Sequence, residues 1–215
     1  MSERKMLNLL WALNSYHITI IMKKKLILIF TIIIFGCPKM GICLDYMGNI
    51  NFAFGLLQMD NDFSKNFGMD EKAEIGLISD MKKKDWPLSI AFDYILSYGN
   101  SSIPASLDGL RQNKNVDFFS SEMYFGVKKK FDKFHPLKPF IGAGIYTISL
   151  YVDISYDHDY TWGVGGWVGG GAYYPLTDKI HMGFEWRWSR ADVKIFGRTM
   201  DAGGNHFNLM IGHEF

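Results

Sequence analysis

Between Ile180 and Ser189 the chain alternates with a period of two residues. Ile180, Met182, Phe184, Trp186 and Trp188 fall on one side, and His181, Gly183, Glu185, Arg187 and Ser189 on the other. Side chains in a strand point alternately to its two faces, so this run is a strand with one large apolar face and one small or charged face. The last strand repeats the pattern, with Phe207, Leu209, Ile211, His213 and Phe215 against Asn208, Met210, Gly212 and Glu214. A narrow soluble barrel has no interior large enough for so many rings, and it would leave Glu122, Glu185 and Arg187 outside. The arrangement suits a sheet whose apolar face meets lipid.

Earlier segments carry the same alternation. Ile50, Phe52, Phe54 and Leu56 alternate with Asn51, Ala53 and Gly55; Ala73, Ile75 and Leu77 with Glu74 and Gly76; Leu88, Ile90, Phe92, Tyr94 and Leu96 with Ser89, Ala91, Asp93 and Ser97; Phe119, Met123, Phe125 and Val127 with Ser120, Glu122, Tyr124, Gly126 and Lys128. Two further segments, Pro139 to Val152 and Gly163 to Leu176, are glycine-rich and do not reveal their facing. That makes eight strands. Long links are expected at 58–72, 99–116, 153–162 and 193–205, and shorter ones at 81–86, 129–137 and 175–179. Hydrocarbon offers no partner to backbone N–H and C=O groups, so a spanning sheet must close. The fold class is therefore all-β: an eight-stranded antiparallel up-and-down transmembrane β-barrel, preceded by a signal peptide.

The leader is read from Met22-Lys23-Lys24-Lys25 and the apolar run Leu26 to Gly36, too short for a spanning helix and followed by Gly41-Ile42-Cys43. The expected division is 1–21 as a spurious N-terminal extension, 22–43 as signal peptide cleaved near Cys43/Leu44, and 44–215 as barrel. A lipoprotein signal at Gly36-Cys37 is the rival. Both cysteines leave with the leader, which excludes disulfides, thiolate metal sites and cysteine nucleophiles from the mature chain. The full chain balances 23 bases against 22 acids, and its mean hydropathy of −0.02 excludes a helical membrane protein. No basic surplus points to nucleic acid.

The motifs Pro139-Phe140-Ile141-Gly142-Ala143-Gly144-Ile145, Gly169-Gly170-Gly171-Ala172-Tyr173-Tyr174 with Leu176-Thr177-Asp178, and Phe184-Glu185-Trp186-Arg187-Trp188 resemble the outer-membrane β-barrel domain family of OmpA-like, OmpW-like and opacity-type proteins. The resemblance implies a Gram-negative outer membrane and a C-terminal assembly signal, carried here by Phe207, Leu209, Ile211 and Phe215 and read by the barrel assembly machinery. His213 stands where the family more often has an aromatic. The partners it implies are outer-membrane lipid and lipopolysaccharide, with the chain a monomer.

The inward face supplies the candidate site, a lumen charge cluster of Asp93, Glu122, Glu185 and Arg187, with Glu74 toward the loop end and His181, Lys128 and Glu214 toward the turn end. In an eight-strand lumen such charges read as a salt-bridged plug, and less readily as a gated path. The runs Lys82-Lys83-Lys84 and Lys128-Lys129-Lys130 read as solvated turn residues. Asp153, Asp157, His158 and Asp159 read as a solvated acidic loop sooner than a cation site. The strand glycines lack the context of a phosphate loop and read as close strand packing. No catalytic residue, metal or cofactor is assigned, and the chain is read as a non-enzyme with a structural or surface-interaction role. The alternatives are a small pore or OmpW-like hydrophobic conduit, which the charges disfavour, and a lipid A modifying enzyme. The H-x-S signature of the deacylases is missing, although Ser189 and His206 can approach one another, with Glu185 nearby.

Overall fold

The computed structural model describes residues 46–60, 67–107, 110–131, 133–154 and 157–215; the expected signal peptide and N-terminal extension lie outside them. The described strands are β1 (Tyr46–Met59), β2 (Glu71–Lys83), β3 (Ser89–Leu107), β4 (Leu110–Lys130), β5 (Lys138–Ile154), β6 (Asp157–Pro175), β7 (Ile180–Ile195), β8 (Arg198–Asp201) and β9 (Gly204–Glu214). Each pairs antiparallel with its neighbour in the order β6-β5-β4-β3-β2-β1-β9-β7, and β6 pairs with β7 to close the ring. Among the described residues strand β8 pairs only with the far end of β7. Eight strands thus form the wall.

The stagger of that wall can be followed residue by residue. Gly48 lies opposite Met81, then Ile90, Val127, Ala143, Val168, Trp188 and Asn205, which lies opposite Gln58 on the first strand again. One circuit advances ten residues, from Gly48 to Gln58. A closed sheet with such a stagger must tilt its strands, by about 35–45° from the axis in barrels of this kind.

The facing follows the alternation. Phe52, Phe54, Ile75, Phe92, Phe125, Phe184, Leu209 and Ile211 are all about half exposed on the outside. The glycine-rich strands are now resolved: Ile141, Ala143, Ile145, Val164 and Val168 face out, while Phe140, Tyr146 and Trp167 face in. The indole of Trp167 explains the inward glycines, because a Cβ on Gly126, Gly142 or Gly144 would lie 2.8–3.0 Å from it.

Three expectations about the links need correction. The stretches 99–116 and 153–162 are not long loops: β3 and β4 stay paired to Leu107 opposite Leu110, and β5 and β6 to Ile154 opposite Asp157. Within 193–205, β7 and β8 form a hairpin whose turn residues Phe196 and Gly197 both have positive φ, 46° and 77°, as a type I′ turn requires. The Phe196 N–H donates to Asp159 Oδ2 at 2.6 Å, which ties this turn to β6. The cause is chemical. Beyond Ser189 the alternation continues with its polarity swapped: Arg190, Asp192 and Lys194 point out, and Ala191, Val193 and Ile195 point in. Outside the membrane the barrel wall obeys the soluble rule.

Candidate functional site: the lumen

Asp93 on β3, Lys128 on β4, and Glu185 and Arg187 on β7 all point inward and meet. Lys128 Nζ lies 3.3 Å from Asp93 Oδ2 and 3.1 Å from Glu185 Oε2. Arg187 Nη2 donates to the same Asp93 oxygen and to Glu185 Oε1. Two acids thus face two bases, and all four side chains are 0–1% exposed. Buried ions need this kind of mutual neutralisation, because desolvating each costs several kcal/mol. The Arg187 guanidinium also lies against two mutually perpendicular aromatic rings, 4.1 Å from the Tyr124 ring centroid and 4.6 Å from that of Trp167.

Glu122, expected with these residues, belongs to a second network nearer the loop end. It accepts from Ser120 Oγ at 3.1 Å and from the Tyr124 hydroxyl. Glu74 accepts from Ser97 Oγ at 3.2 Å and Asn208 Nδ2 at 3.3 Å, and lies 2.7 Å from His206 Nδ1. The other ring nitrogen, Nε2, lies 2.9 Å from Ser189 Oγ and 3.1 Å from the Tyr124 hydroxyl. Ser189, His206 and Glu74 therefore line up as a hydroxyl, an imidazole and an orienting carboxylate. The acid is Glu74 and not Glu185, which is committed to Lys128 and Arg187. The sequence signal for this reach is Gly55: it faces inward on β1 opposite both Glu74 and Asn208, and with no side chain it lets them join across the intervening strand.

Above and below these networks lie two apolar clusters, with buried Lys72 over the Phe118 ring of one and Asn51 donating to the Ile78 carbonyl of the other. Leu57, Met59, Phe118, Leu150, Val152, Val193, Ile195 and Met200 belong to one buried cluster toward the loop end, and Ala53, Ile78, Phe140, Tyr173 and Met210 form another toward the turn end. At the turn-end mouth Lys130 pairs with Asp80 at 2.6 Å and Lys138 with Glu214 at 3.1 Å, while His181 Nε2 lies 2.6 Å from Asn51 Oδ1. The run Lys128-Lys129-Lys130 is therefore not a solvated turn. Strand β4 extends through all three residues, and its alternation sends Lys128 and Lys130 into the lumen. In the segment read as an acidic loop, Asp159 is held by the Phe196 and Tyr160 amides and Asp153 accepts from the Tyr151 hydroxyl. Among the described residues no group of three or more His, Cys, Asp or Glu side chains is placed to hold a metal.

The outer surface completes the definition. Along β3 and the residue before it the lipid-facing row runs from Leu88 to Tyr98, eleven residues that tilt into a belt about 25 Å tall. Tyr98, Phe119, Tyr151 and Tyr160 lie in register across four neighbouring strands at its loop end. A closed antiparallel barrel with such a belt is stable only with lipid around it. The fold is thus the eight-stranded transmembrane barrel of the outer-membrane type. Among solved structures, it is similar to Ail, the attachment invasion locus protein of Yersinia pestis, in complex with the heparin analogue sucrose octasulfate (TM-score 0.54, 9% identity, 80% of this chain and 100% of that one). It is also similar to the outer membrane protein OprG from Pseudomonas aeruginosa (TM-score 0.51, 12% identity, 80% and 95%). No family model matches the chain, and neither does any curated protein.

Proposed function

We propose that the protein is a monomeric outer-membrane barrel with a structural and surface-interacting role, inserted by the barrel assembly machinery through its last strand, and that its lumen is closed. The observation that carries this reading is the filling of the lumen: an apolar layer, a Glu74–His206–Glu122 network, the Arg187 cluster and a second apolar layer succeed one another. An OmpW-like conduit needs a continuous apolar path, and buried paired charges interrupt it. Interaction is left to the loop end, where β3 and β4 stay paired for nine residues beyond Tyr98 and Phe119, an arm about 30 Å long. The likeness to an attachment protein supports the same assignment. Purified protein in planar bilayers should give no channel steps; stable open steps in the unaltered protein would sink the closed-lumen reading.

The Ser189–His206–Glu74 line favours a second reading, hydrolysis by an activated serine. Against it, Ser189 is 2% exposed, and a hydrolase needs room for an acyl carbon about 3 Å from the hydroxyl. A fluorophosphonate probe decides between them: the folded barrel should stay unlabelled, and labelling abolished by Ser189→Ala would establish the enzyme.

A further inference from the structure

Among the described residues, the outside of the barrel is thinned on β6 at the top of the apolar belt. On β6 the outward residues Val164, Gly166 and Val168 succeed one another, with Ala143 opposite Val168 on β5 and Trp188 opposite it on β7. Gly166 is exposed, and a Cβ added there would meet only the Gly144 carbonyl oxygen, at 3.7 Å. Ala143, Val164, Gly166, Val168 and Trp188 therefore line an open hollow in the lipid-facing surface, with Arg190 and Asp192 of β7 beside it. Neighbouring strands are about 4.8 Å apart, so the rows on β5 and β7 stand roughly 10 Å apart across it. An alkyl chain fits that gap.

Arg190 stands at the rim, opposite Gly166 in the register and directly after Trp188, where the outward row of β7 turns from apolar to polar. Its Nε lies 2.9 Å from Asp201 Oδ2 in an ion pair, while 65% of the side chain remains exposed. The pairing fixes the guanidinium and leaves its two Nη groups for a further acceptor, the fork geometry that suits phosphate. Asp192 and Asp201 stand beside Arg190, and Lys194 and Arg198 nearer the turn bring this hairpin to three bases against two acids. Farther along β6, Trp162 is 68% exposed and Tyr160 63% exposed, both beyond the hollow on the loop side. Exposed aromatic faces at head-group height suit a sugar ring better than a small polar head.

We propose that this hollow seats one acyl chain of a phosphorylated glycolipid of the lipid A class, with a phosphate on Arg190 and a sugar against Trp162. The site rests on the reading of the chain as an outer-membrane barrel, and it names the lipid that the barrel holds. It faces the leaflet at the loop end.

The full barrel, refolded in phosphatidylcholine nanodiscs, is titrated with lipid A, with dephosphorylated lipid A and with phosphatidylglycerol, and bound lipid is counted by native mass spectrometry. Heat-modifiable gel mobility is recorded for every sample and reports the barrel itself, so a protein that never folds in lipid overturns the barrel reading and not the site alone. The unaltered protein should retain lipid A at least tenfold over the other two lipids. Gly166→Leu, which fills the hollow on the outer face, and Arg190→Gln, which removes the charge, should each bring retention down to the dephosphorylated level while mobility stays normal. Retention unchanged in both folded variants overturns the site, and equal retention of phosphatidylglycerol overturns the glycolipid in favour of any anionic lipid.

Discussion

At mid-height the barrel concentrates its electrostatic risk in one side chain. Arg187 is fully buried, shares Asp93 with Lys128, and lies against two aromatic rings. Arg187→Ala leaves two buried carboxylates with a single lysine, so it should cost about 3–5 kcal/mol of barrel stability in a denaturant titration from lipid. Asp93→Asn alone should also destabilise, by leaving two cations on Glu185. The double variant Arg187→Met with Asp93→Asn leaves a neutral Lys128–Glu185 pair, and it should recover more than about 1 kcal/mol relative to the sum of the single losses. Simple additivity would mean that the four groups do not act as one cluster. Sequence alone reveals that Asp93, Glu185 and Arg187 point inward, because period two fixes facing. It does not reveal who meets whom. Partnership depends on the stagger of the closed sheet, and that is why Glu122 separates from Arg187, Lys128 joins it, and Glu74 reaches His206 across Gly55.

Strands β5 and β6 show where pattern reading stops. In β7 large and small residues alternate strictly, so the apolar face declares itself; in β6 glycines occupy both faces, and the alternation carries no contrast. The two faces nevertheless have opposite tolerances. Inward Gly144 packs under Trp167, and a Cβ there would lie 2.1 Å from the Phe125 carbonyl oxygen, whereas outward Gly166 has open space. Gly144→Val should therefore abolish the heat-modifiable band or lower its unfolding midpoint sharply, and Gly166→Val should leave both nearly unchanged. Equal damage from the two would place Gly166 against the interior. The outer ends of the strands escape the pattern for a different reason. A reading that seeks an apolar outer row ends β7 near Trp188, although its backbone continues to Ile195 with Arg190, Asp192 and Lys194 outward. Val193→Asp tests that swap: as an inward residue of the loop-end cluster it should destabilise by about 2–4 kcal/mol. Lys194→Asp, one residue on and facing water, should change stability by less than about 0.5 kcal/mol.

For the whole molecule, closure is the property on which lumen, belt and surface arm all depend, and it is made by the first and last strands. Strand β9 pairs with β1 from Asn49 opposite Glu214 to Met59 opposite Gly204, and beyond that ladder the Gly48 N–H donates to the Phe215 carbonyl at 2.9 Å while the Phe215 N–H donates to the Gly48 carbonyl at 3.0 Å. The terminal residue therefore completes the seam with its backbone, and its exposed ring extends the outer row of Phe207, Leu209 and Ile211. An open seam would strand N–H and C=O groups in hydrocarbon at several kcal/mol each. Deleting Phe215 removes both seam hydrogen bonds and the ring; Phe215→Asp keeps the bonds and puts a charge at the belt edge. If the seam matters most, the deletion should lower the yield of heat-modifiable barrel in purified lipid more than the substitution does. If the ring is chiefly a signal for the assembly machinery, the two variants should refold alike in purified lipid and both fail to insert in cells. Normal refolding and normal insertion of both variants would remove Phe215 from the assembly signal and leave closure to the remainder of the β1–β9 ladder.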